Sequence, residues 1–166
     1  KDFVFPKETH SEHGEGGLLP WITCREVIGD LDYDLPEDKD RQAGSKHKNL
    51  LPLIPPGQNY LFFTAERGCK HPLFKWRSRY WSFLLKLSPD KPSWTIQASF
   101  SNNQGPFNWK NRFLRINEIK RIQTFPDDYI FTGKFSDQWR QIGNAVPPKL
   151  IKSIANQIYN DYFRDE

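Results

Sequence analysis

Methionine is absent from the 166 residues, and cysteine is nearly so, with Cys24 and Cys69 the only two. Two isolated thiols make no disulfide framework, which sets aside the small stapled secreted folds and fits a reducing, cytoplasmic setting. Long apolar runs are missing as well. YLFF at 60–63 and LLPLI at 50–54 fall far short of the roughly 18 residues that span a bilayer. KDFVFPKE at the start has no long apolar stretch behind Lys1, so no secretory leader is read there. With Lys1 first and no methionine anywhere, the chain is expected to be a piece of a longer polypeptide or a processed product.

Recognisable catalytic and metal-binding spacings are also lacking. His10 and His13 stand three apart, Cys69 and His71 two apart, and neither pair belongs to the four-ligand sets that hold zinc. No metal is expected. Cys24 lies on an amphipathic stretch and is expected to pack as a small hydrophobe. Cys69 has Lys70 and His71 beside it, but no third group to orient a base. No complete active site is legible in this chain.

Aromatic residues, by contrast, are plentiful: six Trp, six Tyr and thirteen Phe. They supply enough apolar surface for one modest globular core. The formal charge of +4 is unevenly spread. Residues 1–64 hold seven Lys/Arg against eleven Asp/Glu, whereas residues 65–166 hold seventeen against nine. A basic later portion with aromatics threaded through it suits a polyanion such as nucleic acid, although a solvated basic surface has the same composition.

The order of patterns along the chain predicts an α+β protein. KETHSEHGEGG reads as an irregular lead-in. TCREVIGDL at 23–31 predicts a short helix with Thr23 as N-cap and Glu26 completing a capping box. Residues 32–49 read as an exposed loop. NYLFF, YWSFLLKL and SWTIQASF are β-prone runs, the last two joined by SPDKP as in a hairpin, so 50–100 predicts a small irregular sheet. Ile116, Ile119, Ile122 and Phe125 mark a helix over 116–125 that Pro126 stops. Val146, Leu150, Ile154, Ile158 and Tyr162 fall four apart in a second helix over 145–163, with Pro147 and Pro148 in its first turn.

Two segments hold the chemistry. Between 67 and 89 there is no acidic residue, while Arg67, Lys70, Lys75, Arg77, Arg79 and Lys86 alternate with Trp76, Tyr80 and Trp81. Arginine can grip guanine edges or phosphates. A hairpin with a basic outer face, an aromatic inner face and no ligand fits equally well, and the segment alone leaves both open. WRQIGNAVPPKL at 139–150 places a Gly-Asn-Ala turn and two prolines ahead of a helix. A helix start gathers unpaired N–H groups and positive dipole charge, a natural seat for an anion.

NRFLRINEIKRIQTFPDDYIFTG at 111–133 and WRQIGNAVPPKLIKSIANQI at 139–158 together resemble the last two motifs, IX and X, of DNA (cytosine-5) methyltransferases. Arg112, Glu118, Arg121, Gln123, Phe125, Pro126, Asp127 and Tyr129 match the first motif. Gln141, Gly143, Asn144, Val146, Pro147 and Pro148 match the second. SWTIQAS resembles the Thr-Ile element of the family's target-recognition domain, and FVFP with REVIGDL resembles the segment after motif VIII. Arg115 departs from the family's usual threonine cap, so the helix start there is expected to draw on other partners. The family's Phe-x-Gly-x-Gly cofactor loop, Pro-Cys nucleophile, Glu-Asn-Val acid and Gln-x-Arg-x-Arg motif are all absent.

The resemblance implies two parts: residues 1–110 as a target-recognition domain with its lead-in, and residues 111–166 as helical segments that dock on a catalytic domain. In the family a cysteine thiolate adds to C6 of a flipped cytosine, and C5 takes a methyl group from S-adenosylmethionine. By resemblance, Gly143, Asn144 and Ala145 belong to the cofactor side, Gly143 permitting a tight turn and the Asn144 and Ala145 amides facing the cofactor's carboxylate. Lys75, Arg77, Arg79, Thr95, Gln97, Asn102, Asn103 and Gln104 are the candidates for double-stranded DNA, with Thr95 and Ile96 bracing the loop. Arg112, Glu118 and Arg121 are expected to tie the recognition domain together structurally. The implied protein is bacterial, cytoplasmic and nucleoid-associated, part of a restriction–modification system, and inactive without its catalytic partner. It is either excised from a single chain or a natural small subunit; a stand-alone DNA-binding module and a degenerate remnant are the alternatives. The stripe on 145–163 is expected to need a partner, or to drive self-association.

Overall fold

The computed structural model describes residues 2–41, 47–99 and 101–164. Part of the loop expected at 32–49, and Phe100 of the expected polar loop, lie outside the described residues. Four α-helices organise the rest: α1 (Cys24–Ile28), α2 (Ile116–Ile122), α3 (Phe135–Asn144) and α4 (Pro148–Tyr162). The sheet consists of two short parallel strands, β1 (His10–Ser11) and β2 (Leu19–Pro20). Helices beside a small sheet agree with an α+β class.

Helix α1 begins where its capping box places it. The Glu26 N–H donates to the Thr23 hydroxyl at 3.3 Å, and the Thr23 N–H donates to the Glu26 carboxylate at 2.7 Å. The next two orphan donors are used as well, Cys24 N–H meeting the Lys91 carbonyl and Arg25 N–H the Pro89 carbonyl. The SPDKP turn is thus the dock for α1 rather than the tip of a hairpin.

The hairpin itself is not formed, and neither is the sheet expected over 50–100. YLFF is a 3-10 helix, Tyr60–Phe63. Residues 84–87 are buried one after another, which a half-exposed strand with alternating faces cannot be. Their backbone donors go in several directions: Leu84 to the Asn103 carbonyl, Lys86 to Gln58 and Leu87 to Phe107. The segment is a hub buried on all sides, and isolated bridges at Phe83–Gln104 and Lys86–Phe107 stand where a ladder was expected. At that hub the Lys86 ammonium is buried against the Ile54 carbonyl, and burial pushes its pKa down to about 8.

Two apolar clusters result. One gathers Leu51, Ile54, Tyr60, Leu61, Phe63, Leu84, Phe107 and Phe113, the other Cys24, Ile28, Leu87, Ile96, Leu114, Ile119, Trp139 and Ile142. The second joins residues from both sides of 110/111, so the two expected parts share a core. Cys24 is a packed apolar residue there, its thiol pushed up to about 11 by burial.

Helix α2 starts at Arg115 with an unusual cap. The Arg115 side chain is a pure donor, and it leaves the helix for Asp38 and for the carbonyls of Leu31 and Tyr33. Glu118 serves the helix instead, accepting the Arg115 N–H at 2.7 Å. At the other end α2 stops three residues short of Phe125. Thr124 takes a left-handed φ of 65°, and the Phe125 and Thr124 N–H groups return to the carbonyls of Lys120 and Arg121, a Schellman closure without glycine.

Residues 135–144 form the helix α3, whose end takes in the Gly143 and Asn144 of the expected Gly-Asn-Ala turn. Gly143 is inside it and makes no turn. A Cβ built there would stand 2.6 Å from the Ala98 Cα, so the residue is glycine because the backbone of 97–98 passes directly over it. Trp139 fixes that crossing by donating to the Gln97 carbonyl at 2.8 Å. Helix α4 follows with no buried residue at all.

Candidate nucleic-acid interface

Residues 67–81 of the acid-free segment are largely exposed, and two buried side chains hold their end from beneath. The Tyr60 hydroxyl donates to the Arg79 carbonyl at 2.8 Å and accepts the Arg79 N–H at 3.1 Å. The Asn59 amide donates to the Trp81 carbonyl at 2.8 Å. Residues 79–81 are therefore pinned by their backbone, while Tyr80 is 85% and Trp81 50% exposed. Arg77 and Arg79 are exposed on this surface.

Trp81 separates two clefts. On one side lies a space of about 650 Å³ that includes Tyr80, Trp81, Trp94, Thr95, Gln97 and Gln104 in its walls. The Trp81 and Trp94 rings are 5.4 Å apart, and the Gln104 amide donates to the Gln97 side-chain carbonyl. On the other side, a cleft of about 540 Å³ is bounded by Tyr60, Arg67, Trp76, Arg77, Arg79 and Trp81.

The structure thus brings Arg77, Arg79, Thr95, Gln97 and Gln104 to two clefts with a common wall. Lys75 is exposed in the adjoining turn but lines neither cleft. Asn102 is exposed, whereas Asn103 is half-buried, its carbonyl accepting the Leu84 N–H at 2.9 Å. Arg67 and Trp94 were not singled out as site residues. Arg67 opens the acid-free run and Trp94 adjoins Thr95, signals available in the sequence, but only the fold sets them beside the rest.

The motif IX residues divide into two roles. Arg112 and Glu118 are joined by two hydrogen bonds of 2.8 Å, both side chains almost fully buried, and Asn108 adds a third donor to Glu118 at 3.0 Å. The three side chains form a buried polar cluster within residues 108–118. Arg121 is not part of it. Its guanidinium is held by Asp30 at 2.6 and 2.7 Å and by Asp127 at 2.7 and 2.8 Å, and those carboxylates raise its pKa further. It clamps the end of α1 to the loop after α2, in a cleft of about 700 Å³ that also touches Pro148, Lys149 and Lys152.

The start of α4 does not offer the unpaired amides expected of an anion seat. Pro147 and Pro148 have no N–H, the Lys149 N–H donates to the Thr124 hydroxyl at 3.1 Å, and the Leu150 N–H donates to the Pro147 carbonyl. The Ala145 amide is likewise engaged, with the Ile142 carbonyl at 3.1 Å. Of the three residues expected to face a cofactor, Asn144 has an exposed side chain that makes no hydrogen bond among the described residues. Gly143 and Ala145 line an adjoining cleft of about 550 Å³ with Thr95, Ile96, Gln123 and Pro147.

Among the described residues no group of three His, Cys, Asp or Glu could hold a metal, and no helix is long and apolar enough to cross a membrane.

Comparison with known proteins gives the family. The chain belongs to the family described as C-5 cytosine-specific DNA methylase, whose model matches residues 5–160. It is 41% identical to the Type II methyltransferase M.SacI of Streptomyces achromogenes, over 95% of this chain and 44% of that protein. It is 31% identical to M.NgoFVII of Neisseria gonorrhoeae (95% of this chain, 41% of the relative) and to M.BbvI of Brevibacillus brevis (99% and 42%). The chain spans less than half the length of these relatives.

Proposed function

We infer that this chain is the C-terminal portion of a DNA cytosine-5 methyltransferase. It reads the target duplex and completes the cofactor side of a catalytic domain that carries the nucleophile. The observation that carries this is the pairing of two uncovered surfaces on one chain of that family. One is the pinned aromatic and guanidinium face around Trp81. The other is a 15-residue helix, α4, with Leu150, Ile151, Ile158 and Tyr162 between 39% and 52% exposed. A helix with such a stripe is stable where another surface covers it.

S-adenosylmethionine, when bound, supplies the methyl group. The part of this chain is to orient: the side-chain amide of Asn144 has both a donor and an acceptor to offer a zwitterionic ligand. Gly143 keeps that end of α3 pressed on residues 97–98, which links the cofactor side to the DNA-reading segment. Thr95, Gln97 and Gln104 face base edges, and Arg77 and Arg79 face guanine or phosphate. Holding the duplex through these groups offsets the few kcal/mol that flipping a base costs.

The test is a chimera in which residues 5–160 replace the matching segment of M.SacI. Transfer of labelled methyl groups to cytosine in duplex DNA is expected. A folded chimera that binds cofactor yet methylates no duplex would refute the assignment. Adding the chain in trans to the remainder of M.SacI distinguishes a natural small subunit, which restores activity, from an excised segment, which does not.

A further inference from the structure

Most arginines of this chain with a described side chain have a carboxylate beside them. Arg25 meets Asp90, Arg112 meets Glu118, Arg115 meets Asp38, Arg121 meets Asp30 and Asp127, and Arg140 meets Asp137. Arg67, Arg77 and Arg79 differ: no carboxylate of the described residues is within ion-pair distance of them, and they share one cleft of about 540 Å³. The Arg67 and Arg77 guanidiniums each lie 5.9 Å from the Trp76 ring. Arg77 reaches that position with a left-handed φ of 52°, a conformation a non-glycine residue keeps only when its surroundings impose it. Arg79 is fixed from below through Tyr60. Three like charges gathered without a counter-charge repel one another, and an anion among them reverses the sign of the interaction.

We propose that the Arg67–Arg77–Arg79 cleft over Trp76 is a phosphate seat that takes one backbone phosphodiester of the duplex. This rests on the DNA-reading assignment above and adds to it a sequence-independent grip, separate from the Gln97–Gln104 cleft across Trp81. The guanidinium fork matches two phosphate oxygens, and the Trp76 ring lies within cation–π distance of Arg67 and Arg77. A phosphate contact sets register along the duplex without reading it.

The experiment is duplex binding by the full chain across a series of salt concentrations, with a random-sequence pool and with sequences enriched from it. The double variant Arg67→Gln/Arg77→Gln is expected to weaken both by the same factor, about tenfold or more. The slope of log K against log salt should fall in magnitude by about 0.9, one phosphate. Arg67→Lys/Arg77→Lys keeps most of the slope. An unchanged slope in the glutamine variant, or a loss confined to enriched sequences, would each overturn the seat while leaving DNA reading intact. Failure of the unaltered chain to bind any duplex would overturn both.

Discussion

The backbone N–H of Lys149 ends on the hydroxyl of Thr124, 3.1 Å away, so the C-terminus of α2 supplies the cap for α4. Thr124 can do this because its left-handed backbone closes α2 and turns its side chain to the next helix. Thr124→Val keeps the shape and the strained backbone but removes the acceptor. A loss of about 1 kcal/mol is expected, typical of a helix cap, together with faster amide exchange at Lys149. Unchanged exchange at Lys149 would show that the cap is not formed.

Glu118 is the acceptor on which the interior turns, taking hydrogen bonds from Arg112, Asn108 and the Arg115 backbone. Glu118→Ala leaves the Arg112 guanidinium buried without its partner, which costs about 3–5 kcal/mol. Urea denaturation measures it as a large drop in midpoint. A drop no larger than that of a surface substitution would contradict a buried ion pair.

In an open helix, replacing glycine by alanine stabilises by roughly 1 kcal/mol. Gly143→Ala is expected to do the reverse, losing about 1–3 kcal/mol through overpacking, because the new methyl meets the Ala98 backbone at 2.6 Å. Thermal melting gives the sign. The same variant should lose cofactor affinity and DNA affinity together in the chimera, since Gly143 sits where the two sides touch.

Asp38 accepts from Arg115 and from the Leu35 N–H, with Arg112 nearby, and the Arg115 hydrogen bonds above all hold its carboxyl down at about 2. Its unfolded value is about 3.9. The stabilisation it confers is therefore complete above about pH 4 and disappears as pH falls towards 2, where the folded chain too must protonate it. Stability against acid should drop less steeply in Asp38→Asn between pH 4 and 2. Parallel curves for the two proteins would remove Asp38 as a source.

None of the apolar side chains of α4 is buried. Leu150→Asp/Ile158→Asp is expected to leave the stability of the isolated chain within about 0.5 kcal/mol, as surface substitutions do. It should nonetheless abolish activity in the chimera and any self-association seen by sedimentation. A large loss of stability in the isolated chain would mean that the stripe is already covered there.

Much of this protein is local enough to be legible in its residues. The Thr23 and Glu26 box, the isoleucine spacing of α2 and the prolines ahead of α4 depend on neighbours three or four positions away, and each element stands where those neighbours put it. The basic and aromatic residues of 67–81 are likewise visible without reference to the fold, although Lys86 in the same acid-free run is buried. What misled was burial on every side. YWSFLLKL has the composition of a strand, yet it is a hub whose donors go to residues 58, 103 and 107, partners that no local pattern specifies.

The sequence by itself determined the family, through residues in fixed order, and the charge character of the surface, through simple composition. Only the tertiary structure decided that Gly143 is a packing contact, that the amides at the start of α4 are occupied by Thr124 and Pro147, and that Arg67 joins Arg77 and Arg79 in one cleft with Trp76. The physical reason is the range of the interactions. Helix caps and charge runs are properties of adjacent residues, whereas steric contact between Gly143 and Ala98, or repulsion within an arginine cluster, exists only once distant stretches of chain are brought within a few ångströms.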